Sequence, residues 1–294
     1  MKRKVMEPID VSLVIGADGL MGRALVNYLT HIGKTVLETT RRLDTISERR
    51  VFLDLTKDVS DWHPPCQVSV AYLCAAVTLL ERCRKEPAQS AMVNVHNTIA
   101  LAKTLVASGT FVVFPSTNLV YDGSIPFRKA DDPVCPLTEY GWQKSEAEKL
   151  LLALGDLISV VRFTKVIGPN MPLFKGWIQT LRNNEVIHPF SDMVMAPVPL
   201  PFAVDVFRRV AEARLPGIVQ VSGERDVTYK QVAYHIAPCI SARLDLVQPL
   251  RSEEAGLQFE AIPTYTTLDM TRLHTEFGIE PPDVWLAIDS VSGL

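Results

Sequence analysis

Short apolar runs alternate with longer amphipathic stretches along most of this chain. The runs are rich in valine and isoleucine and are apolar throughout, as is typical of strands covered on both faces. Apolar positions at helical spacing lie between several of them, most clearly over residues 87–107 and 139–154. This alternation predicts parallel βαβ units. The predicted strands are 12–15, 35–39, 50–53, 68–74, 111–115, 158–162 and 218–221.

The composition and the hydrophobic pattern of the sequence change after Gly168. Prolines cluster at positions 169, 172, 189, 197, 199 and 201, and only one further strong strand pattern appears before the end. The pattern predicts an α/β fold with a Rossmann-type, doubly wound parallel sheet and a smaller, interleaved C-terminal domain. The predicted sheet domain comprises residues 1–168 and 199–224, and the smaller domain comprises 169–198 and 225–294.

Composition limits the possible functions. The chain has 294 residues, 47% apolar content and a net charge of −3, which describe a globular protein without a basic surface for nucleic acid. No stretch approaches the roughly 18 apolar residues that a membrane span needs. The basic start, residues 1–4, precedes acidic residues rather than an apolar run, so we expect a solvated tail and no signal peptide.

Cysteine and histidine usage narrows the picture further. The five cysteines include no CxxC pair, and several lie in apolar runs, as expected of reduced packing residues in a cytoplasmic protein. The histidines are scattered, with none at metal-ligand spacing. The sequence therefore predicts no metal site.

The segment from Val11 to Leu29 is VSLVIGADGLMGRALVNYL, an apolar run interrupted by Gly16, Gly19 and Gly22. It predicts a strand, a tight glycine turn and the start of a helix, an arrangement in which backbone N–H groups can hold a pyrophosphate. A glycine turn of this kind also occurs as plain α/β architecture, so the motif alone leaves dinucleotide binding open.

A second group of residues points to proton transfer. Tyr140 and Lys144 are four apart on a helical pattern, and the buried run FVVFP leads directly into Ser116, Thr117 and Asn118. Ligands of open α/β sheets bind at the carboxyl ends of strands. We expect the lysine ammonium to favour the phenolate and so lower the pKa of the phenol, and the threonine hydroxyl to donate to a carbonyl oxygen.

These motifs, GADGLMG, STNLVYDG and YGWQK, resemble in their order and spacing the extended short-chain dehydrogenase/reductase family. Within that family the chain is most similar to the sugar-nucleotide reductases related to dTDP-4-dehydrorhamnose reductase. Further similarities lie at residues 54–56, 73–78, 93–94, 162–170 and 268–285, so the resemblance covers nearly the whole chain.

The resemblance implies roles for individual residues. Tyr140 would be the general acid, Lys144 its partner and a ribose ligand, and Thr117 the group that orients the carbonyl, with Ser116 as its alternative. Cys74 would pack near the cofactor and would not act as a nucleophile. The implied cofactor-binding residues are Gly16, Gly19, Leu20, Met21, Gly22, Asp54, Leu55, Cys74, Ala75, Ala76, Lys144, Phe163 and Val166.

The end of the second predicted strand bears on which cofactor binds. NAD-preferring Rossmann folds place an acid about 20 residues after the glycine turn. Here Thr40 occupies that position and Arg41 and Arg42 follow, whereas Glu38 lies one residue too close to the core. A hydroxyl and two guanidinium groups suit a 2′-phosphate, although both arginines would also suit a solvated loop. The sequence predicts NADP(H), with NAD(H) less favoured.

Departures from the sugar-nucleotide reductases affect the substrate. Asn118 and Leu119 follow the threonine where an acid and an aromatic residue are usual, and Lys165 stands where relatives carry Asn or Trp. Lys165 either faces the pocket, where with Ser116 and Asn118 it would contact an anionic group of the substrate, or faces solvent.

We therefore expect an NADP(H)-dependent reductase of a keto group on a nucleotide-linked sugar or similar small molecule. The alternatives are an epimerase or dehydratase on the same scaffold, and a non-catalytic NADP-binding regulatory subunit. The resemblance also implies a homodimer formed through the helices at 87–107 and 139–154, unless both faces of these helices are buried within one chain.

Overall fold

The computed structural model describes residues 10–169, 171–256 and 260–292, so the predicted solvated tail at residues 1–4 lies outside the described residues. At its centre is a seven-stranded parallel sheet. Its strands are β1 (Val11–Ile15), β2 (Thr35–Thr40), β3 (Arg50–Phe52), β4 (Val70–Leu73), β5 (Phe111–Thr117), β6 (Ile158–Phe163) and β10 (Gly217–Val221). The spatial order β10-β6-β5-β4-β1-β2-β3 reverses direction between β1 and β4, and that reversal opens a crevice at the carboxyl ends of these strands.

Helices cover both faces of the sheet, which is why its strands are apolar throughout. One face packs on α4 and α5 through residues such as Leu101, Leu105 and Leu151. The other packs on α1 and α7 through residues such as Leu25 and Phe207. The helices are α1 (Leu20–His31), α2 (Leu80–Lys85), α3 (Pro87–Ala91), α4 (Thr98–Ala107), α5 (Glu139–Leu152), α6 (Pro172–Arg182), α7 (Leu200–Glu212), α8 (Tyr229–Cys239), α9 (Thr271–Phe277) and α10 (Val284–Ser292).

A smaller region is formed by elements that follow β6 in the sequence. Two short strand pairs organise it: β7 (Lys165–Ile167) runs parallel to β9 (Pro197–Pro199), and β8 (Val194–Met195) runs antiparallel to β11 (Val227–Thr228). A separate apolar cluster joins α6, α8 and α10. The polypeptide leaves the sheet after β6 and returns to it through α7 and β10, as an interleaved arrangement requires.

The predicted fold class is confirmed, and the element bounds differ in instructive places. The helix predicted over 87–107 contains a π-helical turn, Met92–Asn97, between α3 and α4. The Asn94 amide explains the position of that turn, because its Oδ1 accepts from Val77 N at 2.8 Å while its Nδ2 donates to the Val77 carbonyl at 2.9 Å. The strand predicted over 68–74 is limited to Val70–Leu73, and the pattern missed β7, β8, β9 and β11 because each is only two or three residues long.

The described residues lack two kinds of feature. Within them no helix combines the length and apolarity that crossing a membrane requires. The same part of the chain holds no group of three or more histidine, cysteine or acidic side chains close enough to bind a metal ion.

Candidate active site

A cleft of about 370 Å³ lies along the carboxyl ends of β1, β2 and β4. The glycine turn forms one wall, and the segments after β2, β3 and β4 form the others. Of the predicted cofactor residues, those that line the cleft are Gly16, Gly19, Thr40, Arg41, Asp54, Leu55, Cys74, Ala75 and Ala76. Those that do not line it are Leu20, Met21, Gly22, Arg42, Lys144, Phe163 and Val166.

The glycine turn is shaped by close backbone approach. Gly16 has a φ of +88°, and a Cβ placed on it would lie 2.6 Å from Ala75 N. A Cβ on Gly22 would lie 2.3 Å from the Gly16 carbonyl oxygen. The helix α1 then begins at Leu20, and Gly19 at its N-cap provides no side-chain cap, so the first N–H groups of the helix are open to an external acceptor. The turn therefore fits the pyrophosphate of a dinucleotide.

A charged network at the end of β2 centres on Asp18, which the sequence analysis did not select. The Asp18 carboxylate accepts hydrogen bonds from Thr40 Oγ1 at 2.7 Å, from Arg42 at 2.7 Å and from Arg50 at 2.5 Å. Burial alone would raise the pKa of Asp18, but the hydrogen bonds from Thr40 and Arg42 hold that pKa below its usual value. An acid inside the turn, facing a strand end that carries arginines, is the signal that was overlooked.

That network changes what the predicted phosphate ligands can do. The Thr40 hydroxyl and the Arg42 guanidinium are already bound to Asp18. Arg41 lines the cleft and has no side-chain partner among the described residues. Glu38 is bound to Arg50 at 2.7 Å, beneath the strand end, which agrees with its exclusion as a ribose ligand.

Tyr140 and Lys144 lie one turn apart on α5. Thr138 caps this helix by accepting from Gly141 N at 3.0 Å. Lys144 is 2% exposed, donates from Nζ to the Pro115 carbonyl at 2.5 Å, and lies over the Phe114 ring at 3.8 Å from its centroid. The lysine thus joins the helix to β5, two residues before Thr117.

Burial sets the proton affinities of this pair. Burial lowers the pKa of Lys144 to about 7, although the Glu148 carboxylate opposes this. Burial also raises the pKa of the Tyr140 phenol, and the nearby Cys83 thiol adds to the increase. The expectation that Lys144 lowers the pKa of Tyr140 is therefore wrong for the protein alone, because desolvation dominates. The phenol is consequently held protonated, which is the form a proton donor requires.

The end of β5 presents two hydroxyl groups. Thr117 Oγ1 accepts from Leu119 N at 3.2 Å, and no described group accepts its proton. Ser116 Oγ is buried and has no hydrogen-bond partner within the described chain. The half-buried Asn118 begins the turn that follows. An orphaned buried hydroxyl at a ligand-binding edge indicates a group kept for something that binds there.

Two polar networks that the sequence analysis did not identify support α5. Glu148, one turn after Lys144, forms a bidentate ion pair with Arg162, and both side chains are at most 3% exposed. On the opposite side Asn94 donates to Gln143 Oε1 at 2.8 Å and so ties the π-helical turn to α5. Both networks fix the orientation of the helix that carries Tyr140 and Lys144. The regular four-residue spacing from Tyr140 through Lys144 to Glu148 was the available signal.

Three further predicted residues lie beyond the cleft described above. Phe163 is buried and packs edge-on against Phe207, with ring centroids 5.1 Å apart, and Val166 is half-buried. Lys165 begins β7 and is accessible to solvent, yet the surrounding protein lowers its pKa by desolvation. It has no counter-ion among the described residues.

Cys74 lines the cleft as a packing residue. Burial raises the pKa of its thiol to about 12, so the group remains a neutral thiol near pH 7. The structure thus gives it no nucleophilic character.

A doubly wound sheet with a glycine turn after its first strand, and a Tyr–Lys pair on the helix beside its fifth, defines a Rossmann-type protein of the short-chain dehydrogenase/reductase kind. More specifically, the chain belongs to the family described as the RmlD substrate binding domain, whose model matches residues 11–291. The family resemblance predicted from the sequence is confirmed.

Individual relatives are similar over almost the whole chain. The dTDP-4-dehydrorhamnose reductase of Aggregatibacter actinomycetemcomitans is 25% identical over 294 residues, which cover 95% of this chain and 97% of that protein. The methionine adenosyltransferase 2 subunit beta of Bos taurus is also 25% identical, with 93% and 85% covered. Among solved structures, a dTDP-4-dehydrorhamnose reductase from Bacillus anthracis in complex with NADP superposes with a TM-score of 0.85 at 20% identity, covering 97% and 99%.

Proposed function

We propose that this protein is an NADP(H)-dependent reductase of a keto group on a sugar nucleotide or a similar polar substrate. The observation that carries the proposal is the Lys144–Pro115 hydrogen bond, which fixes the Tyr140 helix against the strand that ends in Thr117. It gathers a proton donor, a cation and a free hydroxyl donor at the edge where the glycine turn opens. The named reductases among the relatives support the same reaction class.

Different residues of the chain bind the cofactor and carry out proton transfer in this proposal. We assign the pyrophosphate to the glycine turn and the start of α1, the 2′-phosphate to Arg41, and the adenine to Asp54 and Leu55. When bound, the nicotinamide cofactor supplies the hydride. The Thr117 hydroxyl donates a hydrogen bond to the substrate's carbonyl oxygen, and Tyr140 transfers its phenolic proton to that oxygen. Lys144 contacts the cofactor ribose and, while protonated, stabilises the phenolate left on Tyr140.

The substrate end rests on Lys165, Ser116 and Asn118. A solvent-accessible ammonium without a counter-ion suits a phosphate or carboxylate of the substrate. We assign the smaller region, residues 169–198 and 225–294, to substrate binding and the sheet, residues 1–168 and 199–224, to cofactor binding.

A second candidate is a non-catalytic, NADP-binding subunit of another enzyme. The observation that favours it is the similarity to methionine adenosyltransferase 2 subunit beta, which equals in identity the similarity to the reductase. The intact Tyr140, Lys144 and Thr117 favour catalysis.

A Tyr140→Phe variant separates the two candidates. For a reductase, oxidation of NADPH by a panel of keto-sugar nucleotides should fall about 10²–10⁴-fold in kcat, because the general acid is lost, while the Kd for NADPH stays the same. Tyr234→Phe, on α8, is the matched control and should keep full activity. Tight NADPH binding by the wild-type protein without turnover of any substrate would instead support the binding subunit. Cofactor retained and unconsumed during turnover would indicate an epimerase.

We also propose a homodimer. On the outer side of α5 Trp142 is 60% exposed, and Met92 in the π-helical turn is 42% exposed, so this surface is apolar where it would meet a second copy. Light scattering should give twice the chain mass for the wild-type protein and a lower mass for Trp142→Glu.

A further inference from the structure

An acidic side chain lies in the part of the cleft where the sequence predicts only cations. Asp18 lines the cleft together with Thr40 and Arg41. Its carboxylate takes hydrogen bonds from Thr40, Arg42 and Arg50 at 2.5–2.7 Å. NAD-binding folds carry an acid at the end of the second strand, and here the glycine turn brings a carboxylate into contact with that strand end.

The charges at this end of the cleft nearly balance. Asp18 matches Arg42, and Glu38 matches Arg50 from the other side at 2.7 Å. Arg41 is the cation left without a carboxylate partner among the described residues. A 2′-phosphate carries about −1.5 to −2 charges, more than one unmatched cation would neutralise. The Asp18 carboxylate lines the same part of the cleft and is bound to Arg42, so it would repel a phosphate placed there.

We propose that Asp18 is a cofactor-specificity residue. Its carboxylate opposes the 2′-phosphate of NADP(H) and accepts a hydrogen bond from the 2′-hydroxyl of NAD(H), so the protein prefers NADP(H) less strongly than its arginines alone would dictate. This inference rests on the proposed function, because it assumes that a nicotinamide dinucleotide occupies the cleft.

Removing the charge should shift the preference in one direction. In Asp18→Asn the amide oxygen still accepts from Thr40, while Arg42 becomes free to bind a phosphate bidentately. Arg50 stays paired with Glu38. The 2′-hydroxyl of NAD(H) loses its charged acceptor. We expect tighter NADPH binding and weaker NADH binding, so that the ratio of Kd for NADH to Kd for NADPH rises about tenfold or more.

The test is a fluorescence titration of each cofactor, which measures binding without turnover. Asp44→Asn is the matched control, since Asp44 also acts electrostatically on Arg42 but lies outside the cleft lining. It should change the ratio less than about twofold, because solvent screens exposed charges. Asp18→Ser removes the same charge and should shift the ratio in the same way. It replaces Asp18→Asn as the test if that variant folds poorly.

The outcomes separate this inference from the proposed function. An unchanged ratio, or weaker NADPH binding in both Asp18 variants, would overturn the specificity role and show that Asp18 merely holds Arg42 and Arg50 in place. A wild-type protein that binds neither cofactor would overturn the proposed function and the inference with it.

Discussion

The two ends of the active-site edge satisfy their polar groups in opposite ways. At the glycine-turn end, Gly16 N donates to Thr39 Oγ1 at 3.0 Å, and Asp18, Thr40 and Arg42 bond to one another. At the other end, which we assign to the substrate, Ser116 Oγ is buried without a partner and Lys165 has no counter-ion within the described chain.

This difference indicates how each end was built. A paired network keeps its geometry before a ligand arrives, so little ordering is needed on binding. An unpaired buried hydroxyl destabilises the folded state and persists where function requires it. The glycine-turn end is therefore preorganised by the protein, whereas the proposed substrate end presents polar groups without partners.

Lys144 lies between the two ends, and its replacement should have the largest effect. Lys144→Met removes the proposed ribose ligand and the cation beside Tyr140, so we expect kcat to fall about 10²–10⁴-fold. Lys149→Met, on the exposed face of the same helix, should retain activity. Equal turnover in the two variants would contradict the catalytic arrangement.

The same variant tests the pKa of Lys144 through stability. Burial lowers that pKa to about 7 from 10.5, so the unfolded chain binds more protons than the folded one between these values. The free energy of unfolding should therefore rise with pH in this window, by about 2 kcal/mol between pH 7 and 9. Urea titrations at both pH values should show that rise in the wild-type protein and a smaller one in Lys144→Met.

Only some of the features at these two ends could be predicted from the sequence. The strands and most helices could be predicted because their apolar positions are periodic, and the Gly16–Gly22 turn and the Tyr140–Lys144 pair have fixed spacings. The Asp18–Arg50 contact joins residues 32 apart, and the Glu148–Arg162 pair joins two further elements. Such pairings depend on how elements pack, and local patterns do not encode them.

The degree of desolvation of each side chain also could not be predicted from the sequence. The pKa of Tyr140 depends on how many atoms surround it, which the Tyr–Lys spacing does not specify. Likewise, the pattern predicts a helix over 87–107 but not its π-helical turn, because that turn requires the Asn94 bonds to Val77.

Arg41→Ala should have the next largest effect and bears on the cofactor end. Loss of one charged hydrogen-bonding partner should weaken NADPH binding about 10–100-fold and leave NADH binding nearly unchanged. Arg49→Ala, an exposed arginine outside the cleft lining, is the control. If NADPH and NADH weaken equally, Arg41 contacts a part of the cofactor that both share.

Lys165→Met addresses the substrate end. The ammonium should contact an anionic group of the substrate throughout the reaction, so we expect KM to rise about tenfold with little change in kcat. The Kd for NADPH should not change. Lys175→Met on α6, also exposed, should leave both constants unaltered. A KM unaffected by Lys165→Met would mean that the side chain faces solvent.

Ser116→Ala should have the smallest effect and distinguishes a ligand-binding hydroxyl from a merely tolerated one. Removing a buried, unpaired hydroxyl should raise the free energy of unfolding by about 1 kcal/mol. Ser159, the second residue of β6, carries a buried, unpartnered hydroxyl away from the cleft, so Ser159→Ala should stabilise the protein similarly. Only Ser116→Ala should also raise the KM of the substrate. If KM is unchanged in both variants, the unpartnered hydroxyl of Ser116 does not contact the substrate. The contrast between the two ends then rests on Lys165 alone.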